Sequence, residues 1–158
     1  MTERSEQAAR VWLPPPASFL AFTIAGVGVQ WGAWHLQFHV PWLARAIAAC
    51  IDGLAGAVLL ACARTLLRRT GQDPRPWKPS PEMILRGPYR FSRNPMYLGM
   101  LLVQVSIGLA LDNPWVVLSS PAALLVVHFT AVLPEERYLS ERFADAYVQY
   151  KRQVRRYL

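Results

Sequence analysis

Four apolar runs, at 17–36, 42–67, 95–111 and 115–133, dominate the chain and are separated by polar breaks, two of them short and one long. Each approaches the roughly 20 residues that a helix needs to cross a bilayer core. The pattern therefore predicts an all-α integral membrane protein with four transmembrane helices. "HVPW" and "LDNP", the short breaks, leave room only for tight reversals, so the runs are expected to form two helical hairpins. "LPPP" at 13–16 stops any earlier helix and starts the first span. Pro95 suits the first turn of the third helix, with Asn94 before it as the cap. The first run is preceded by a polar tail and is too long for the apolar part of a signal peptide, so it is expected to be retained.

The long break, 68–94, carries five prolines and two glycines. That composition rules out a long helix and predicts an extended, turned connection. Beyond Pro134, Leu139, Phe143, Ala146, Tyr147, Tyr150, Val154 and Tyr157 recur at helical spacing with charge between them. They predict an amphipathic helix whose aromatic stripe packs against the membrane or the other cytoplasmic segments.

Charge orients this arrangement. The chain has 17 Lys and Arg against 10 Asp and Glu, a pI near 10.0 and 53% hydrophobic residues. With four spans, both termini and the long connection share one side, which then holds every basic residue except Arg45. The positive-inside rule makes that side cytoplasmic. Topology and anionic lipid account for the closing "KRQVRR", so the bilayer is the expected partner and nucleic acid is not. Cys50 and Cys62 lie about 18 Å apart along one helix, too far to pair, and are expected to be small packing residues. His35 and His39 lack a third ligand nearby, and no metal site is expected. Asp52, deep in the second run, is expected to face protein or water, and His128 is a second buried ionisable candidate.

The densest chemistry is "RGPYRFSRNPMYLG" at 86–99. Gly87 and Pro88 turn the chain, and Arg93 and Asn94 arrive where the third helix presents free N–H groups, a setting suited to an anion. Glu135 and Glu136 reach the same membrane face from the fourth run, so the combination fits a zwitterionic ligand. Plainer readings stand beside this one. The arginines also suit a cytoplasmic connection meeting lipid phosphate, the two acids also suit the start of a helix, and Arg137 and Arg142 also suit a solvated face.

"RGPYRFSRNPMYLG", a helical hairpin and then "EERYLSERFADAYVQYKRQVRR" together resemble the C-terminal signature of the isoprenylcysteine carboxyl methyltransferase and phospholipid methyltransferase superfamily. The resemblance covers about 65–157, with the blocks at 81–99 and 134–157, and its form is that of bacterial members, which implies a bacterial inner membrane. It implies a single domain over 1–158 that uses S-adenosylmethionine. The cofactor pocket would be lined by Pro81, Glu82, Met83, Ile84, Tyr89, Arg93, Asn94, Pro95, Met96, Tyr97 and Glu135. Glu135 would meet the cofactor's ammonium, Arg93 its carboxylate and tyrosine faces its sulfonium. Glu136 and Arg137 are the catalytic candidates. The acceptor would be a lipophilic or small molecule methylated on O, N or S. Two departures stand out: Ala144 replaces the glycine usual after the phenylalanine, and Ala131 stands where prenylcysteine enzymes carry a substrate-binding arginine, a role open to Arg137. Membrane sterol reductases, which bind NADPH, look similar in this region, and a lipid-binding scaffold without catalysis is the other alternative.

Overall fold

The computed structural model describes residues 11–71 and 82–157, and every regular element among them is helical. In chain order these are α1 (Pro15–Gly32), α2 (Trp42–Arg69), a 3₁₀ turn (Gly87–Arg90), α3 (Pro95–Ala110), α4 (Pro114–Val127), a π turn (His128–Val132) and α5 (Leu133–Gln153). Two helices are long and apolar enough to cross a membrane: α2, and the 40-residue rod Pro114–Gln153 formed by α4, the π turn and α5. The third helix is apolar but shorter, and α1 has 18 residues. Leu20, Ile24, Ile47, Ile51, Leu54, Leu118, Leu125 and Phe129 all lie exposed on the helix surfaces. An exposed belt of this kind is what lipid-facing helices present and what a water-facing surface avoids.

The α3–α4 hairpin forms as expected and is the centre of the molecule. Asn113, buried in its turn, caps α4 by accepting from Val116 N at 3.2 Å and donates to Gly26 O on α1 at 3.3 Å. The first hairpin does not form. Instead, α1 packs along α4 and α2 along α3, so the two flank the central pair. Close approach explains the choice of neighbours. A Cβ on Gly26 would lie 2.8 Å from Val116 N, and one on Gly56 would lie 2.8 Å from Gly99 O. Where apolar burial gives helices no net attraction in lipid, such small-residue crossings select the partner. At the end of the bundle opposite the 3₁₀ turn, Asp112 accepts from Phe38 N at 3.1 Å and pairs with Arg45 at 3.0 Å, tying the α1–α2 connection to the central hairpin. Cys50 and Cys62 are exposed on α2 and are not packing residues, because the contact face is occupied by Ala49, Gly56 and Ala63.

The rod from Pro114 to Gln153 meets three interruptions. Pro121 leaves Val117 O without its usual donor, and Ser120 Oγ supplies one at 2.7 Å. Pro134 cannot donate to Thr130 O and its ring crowds that carbonyl, and the π turn just before it widens the helix. The tail helix is therefore continuous with the fourth apolar run and does not start afresh after Pro134. Its real break comes at Ala144, with φ 43° and ψ −118°, a conformation that costs a residue with a Cβ roughly 1–3 kcal/mol. The expected stripe does pack: Tyr147, Tyr150 and Val154 are buried against Met83, Leu139 and Phe143.

Ala144→Gly should relieve the break and raise stability by about 1 kcal/mol, seen as a higher melting temperature in detergent; no gain would mean the backbone carries no strain there. Gly56→Val should lower stability by about 1–3 kcal/mol in the same measurement through collision with the α3 backbone.

Candidate functional site

The site forms where three segments distant in sequence meet: the turn ahead of α3, the first turn of α5 and the tail beyond Ala144. Gly87, at φ 57°, lets the chain enter the 3₁₀ turn. Phe91 N and Ser92 N then bond back to Pro88 O at 3.1 Å, which aims residues 92–94 at the tail. There the backbone pairs, Arg93 N donating to Arg155 O at 3.0 Å. Asn94 holds the N-cap position of α3, but its side chain does not cap. Its Nδ2 donates to Arg156 O at 3.0 Å, and Ser92 Oγ donates to the same carbonyl at 3.3 Å while accepting from Asn94 N.

The two glutamates part company, since neighbours on a helix point about 100° apart. Glu136 sits between two cations. Arg156 grips it with two hydrogen bonds, at 2.8 and 2.9 Å, and Arg93 Nη1 lies 3.0 Å from its Oε1 in an ion pair too bent to be a hydrogen bond. Burial raises the Glu136 carboxyl, but the Arg156 hydrogen bonds and the nearby charges outweigh it and hold the group below the usual range.

Among the described residues Glu135 has no such cation. Its Oε1 accepts from Tyr97 Oη, and Tyr89, Tyr147 and Tyr157 lie within electrostatic reach of its charge. It stands beyond the apolar run, and burial pushes its carboxyl up to about 7 despite the Tyr97 hydrogen bond, with the Glu136 charge adding to the rise. Burial, and then the Glu135 charge, push the Tyr89 hydroxyl well above its ordinary value. Tyr150 Oη donates to Tyr89 O at 2.7 Å and fixes the tail helix to the turn.

The structure brings Tyr89, Arg93, Asn94, Tyr97, Glu135 and Glu136 near one another. Pro95 is buried beneath them, and Met96, Met83 and Ile84 are half-buried at the margin. Glu82 is exposed, and Pro81 lies outside the described residues. Arg137 is exposed and makes no ion pair or hydrogen bond among the described residues. Three participants, Arg156, Tyr147 and Tyr157, have no signal as site residues in sequence, and a fourth, His128, is marked there only as a buried ionisable candidate. Arg156 sits in a basic run, Tyr147 and Tyr157 belong to an apolar stripe, and His128, whose Nδ1 lies 2.9 Å from Tyr157 Oη, stands alone in a helix. Among the described residues no group of three or more His, Cys, Asp or Glu is placed to hold a metal. Asp52 is half-buried on α2 and has no polar partner among them. A shallow cavity of about 460 Å³ lies at the other end of the bundle, lined by Gln30–His35 and remote from this cluster.

The profile of the phospholipid methyltransferase family matches residues 44–146. That stretch holds every site residue up to Glu136 and stops short of Tyr147, Arg156 and Tyr157. An uncharacterized protein of Haemophilus influenzae is 38% identical over 63 residues, which span 40% of this chain and the whole of that relative.

A carboxyl raised from 4.5 to about 7 in the folded protein adds stability below pH 4.5, and that contribution is lost as pH rises through 7. Glu135→Gln, neutral at every pH, should therefore match the parent protein near pH 5 and exceed it near pH 8 by up to about 3 kcal/mol. Thermal unfolding at the two pH values reads this difference, and a gap independent of pH would show that Glu135 does not titrate in that range.

Proposed function

The chain belongs to the phospholipid methyltransferase family, and from that membership we propose that it transfers a methyl group from S-adenosylmethionine to an O, N or S nucleophile on a lipophilic or small acceptor at the cytoplasmic membrane face. The carrying observation is the Glu135 carboxylate, set among Tyr89, Tyr97, Tyr147 and Tyr157 at the end of the apolar helices. A carboxylate with no cation of its own among the described residues, and with four tyrosines within hydrogen-bond or electrostatic reach, suits a cationic ligand, and the donor set fits this cofactor.

S-adenosylmethionine supplies an activated methyl on a sulfonium. In this proposal Glu135 binds the ammonium of the cofactor's amino-acid end and Tyr97 keeps that carboxylate oriented. The tyrosine faces flank the sulfonium, and Arg93 and Asn94 border the anionic end. Met83, Ile84, Pro95 and Met96 wall the pocket, with Pro81 and Glu82 at its rim. Glu136 organises Arg93 and Arg156 beside the reacting groups, and Arg137, exposed on the first turn of α5, reaches toward an anionic acceptor group. Catalysis comes from holding the reactants in line in a water-poor cleft, because charge disperses as the methyl moves.

The accompanying topology is four spans, with α1 and α3 crossing beside α2 and α4 and both termini in the cytoplasm of a bacterial inner membrane. It is supported by the exposed apolar belt and by the distribution of basic residues along the sequence, where all but Arg45 fall in or beside the segments assigned to one side. A lipophilic acceptor then reaches the cleft sideways from the bilayer.

Calorimetry in detergent tests the reading. S-adenosylmethionine should bind more tightly as pH rises through about 7, where Glu135 ionises. Glu135→Ala and Asn94→Ala should each weaken binding by about 1–3 kcal/mol while the protein remains folded. Binding of NADPH in its place would move the chain to reductase chemistry, and binding of neither would leave a lipid-binding scaffold. Radiolabelled S-adenosylmethionine offered with a total lipid extract would identify the acceptor.

A further inference from the structure

The chain's last thirteen described residues lay a row of polar contacts across the candidate site. Arg155 O and Arg156 O take donors from Arg93, Ser92 and Asn94. The Arg156 guanidinium holds Glu136 by two hydrogen bonds, Tyr150 Oη holds Tyr89 O, and Tyr157 Oη meets His128 Nδ1. Tyr147, Tyr150 and Val154 add an apolar seat. All of these residues lie beyond one backbone position, Ala144, whose φ of 43° and ψ of −118° is unfavourable for any residue but glycine. A segment joined through a strained point and held by a row of separable polar contacts has the makings of a two-position element.

We propose that residues 145–157 are a strap, hinged at Ala144 and latched by Arg156 on Glu136, that swings away to admit the cofactor to Glu135 and closes over it. The latch is charge-assisted and reversible. Releasing it leaves Glu136 paired with Arg93 alone and frees the Asn94 side chain, and it withdraws Tyr147 and Tyr157 from around Glu135. The hinge strain favours release and the latch opposes it, so the closed position is held without being locked. Arg156 thereby acts as a positioning residue for a site whose carboxylate it does not itself contact. The identity of the ligand rests on the function proposed above, whereas the movement of the strap does not.

The test bridges the strap to the turn. With Cys50 and Cys62 replaced by serine, Phe91→Cys and Arg155→Cys, both exposed positions, are joined by a short reversible thiol crosslinker. Binding of S-adenosylmethionine is then followed by stopped flow before and after reduction. Bridging should slow association about tenfold or more, and reduction should restore it. Equal rates in the bridged and reduced forms would overturn the strap. Hydrogen exchange, with no ligand present, is the second readout. Residues 145–157 should exchange together and faster than α3, and Arg156→Gln should speed them about tenfold further. Exchange as slow as that of α3, unmoved by Arg156→Gln, would also overturn the strap. If the unbridged protein binds no S-adenosylmethionine, it is the cofactor assignment that fails, and the exchange measurement alone then decides the strap.

Discussion

The Glu136 carboxylate, shared between Arg93 and Arg156, ties together the end of the long connection, the start of α5 and the C-terminal tail. An acid so placed and left alone would be costly, and two guanidiniums left facing each other would be costlier. Arg93 keeps Glu136 paired on its own, and Arg156 completes the set. Because the set closes only when the tail folds back, it dictates where Tyr147, Tyr150 and Tyr157 lie. Glu135, one position earlier, points elsewhere and meets no cation among the described residues. The same helical turn thus provides a neutralised structural acid and a poised one.

What delivers that turn to its place is a rod with faults in it. A straight helix from Pro114 to Gln153 would carry the tail about 60 Å along one line, at 1.5 Å per residue. The π turn at His128–Val132 shifts the register just before the glutamates, and the reversal at Ala144 returns the tail to the turn ahead of α3. Each fault has a local chemical cause or a local compensation. Pro134 demands widening, Ser120 covers the carbonyl that Pro121 strands, and the tail's polar contacts offset the cost at Ala144.

Helix order in the bundle follows from contact geometry, since helix surfaces facing lipid lose little by separating. The glycine crossings at Gly26 and Gly56 let backbones approach where side chains would collide. They bring α1 to α4 and α2 to α3, leaving α3 and α4 central and their site-bearing ends side by side.

Much of this was legible in the residues themselves. The apolar runs mark where the four helices begin to within a few positions, because proline or a polar break precedes each, but not where the fourth ends, since it continues to Gln153. The asymmetry of basic residues predicts an orientation, and the resemblance carried by the two motif blocks implies that Tyr89, Arg93, Asn94, Tyr97 and Glu135 share one pocket. Those are local or one-dimensional properties. The pairing of α1 with α4, the turn of the Asn94 side chain toward Arg156 O, the divergence of Glu135 and Glu136, and the reversal at Ala144 are of another kind. Each depends on contacts between residues far apart in sequence, as 94 and 156 are. An arginine in a basic tail looks the same whether it faces lipid phosphate or a buried carboxylate, and only the folded chain distinguishes the two.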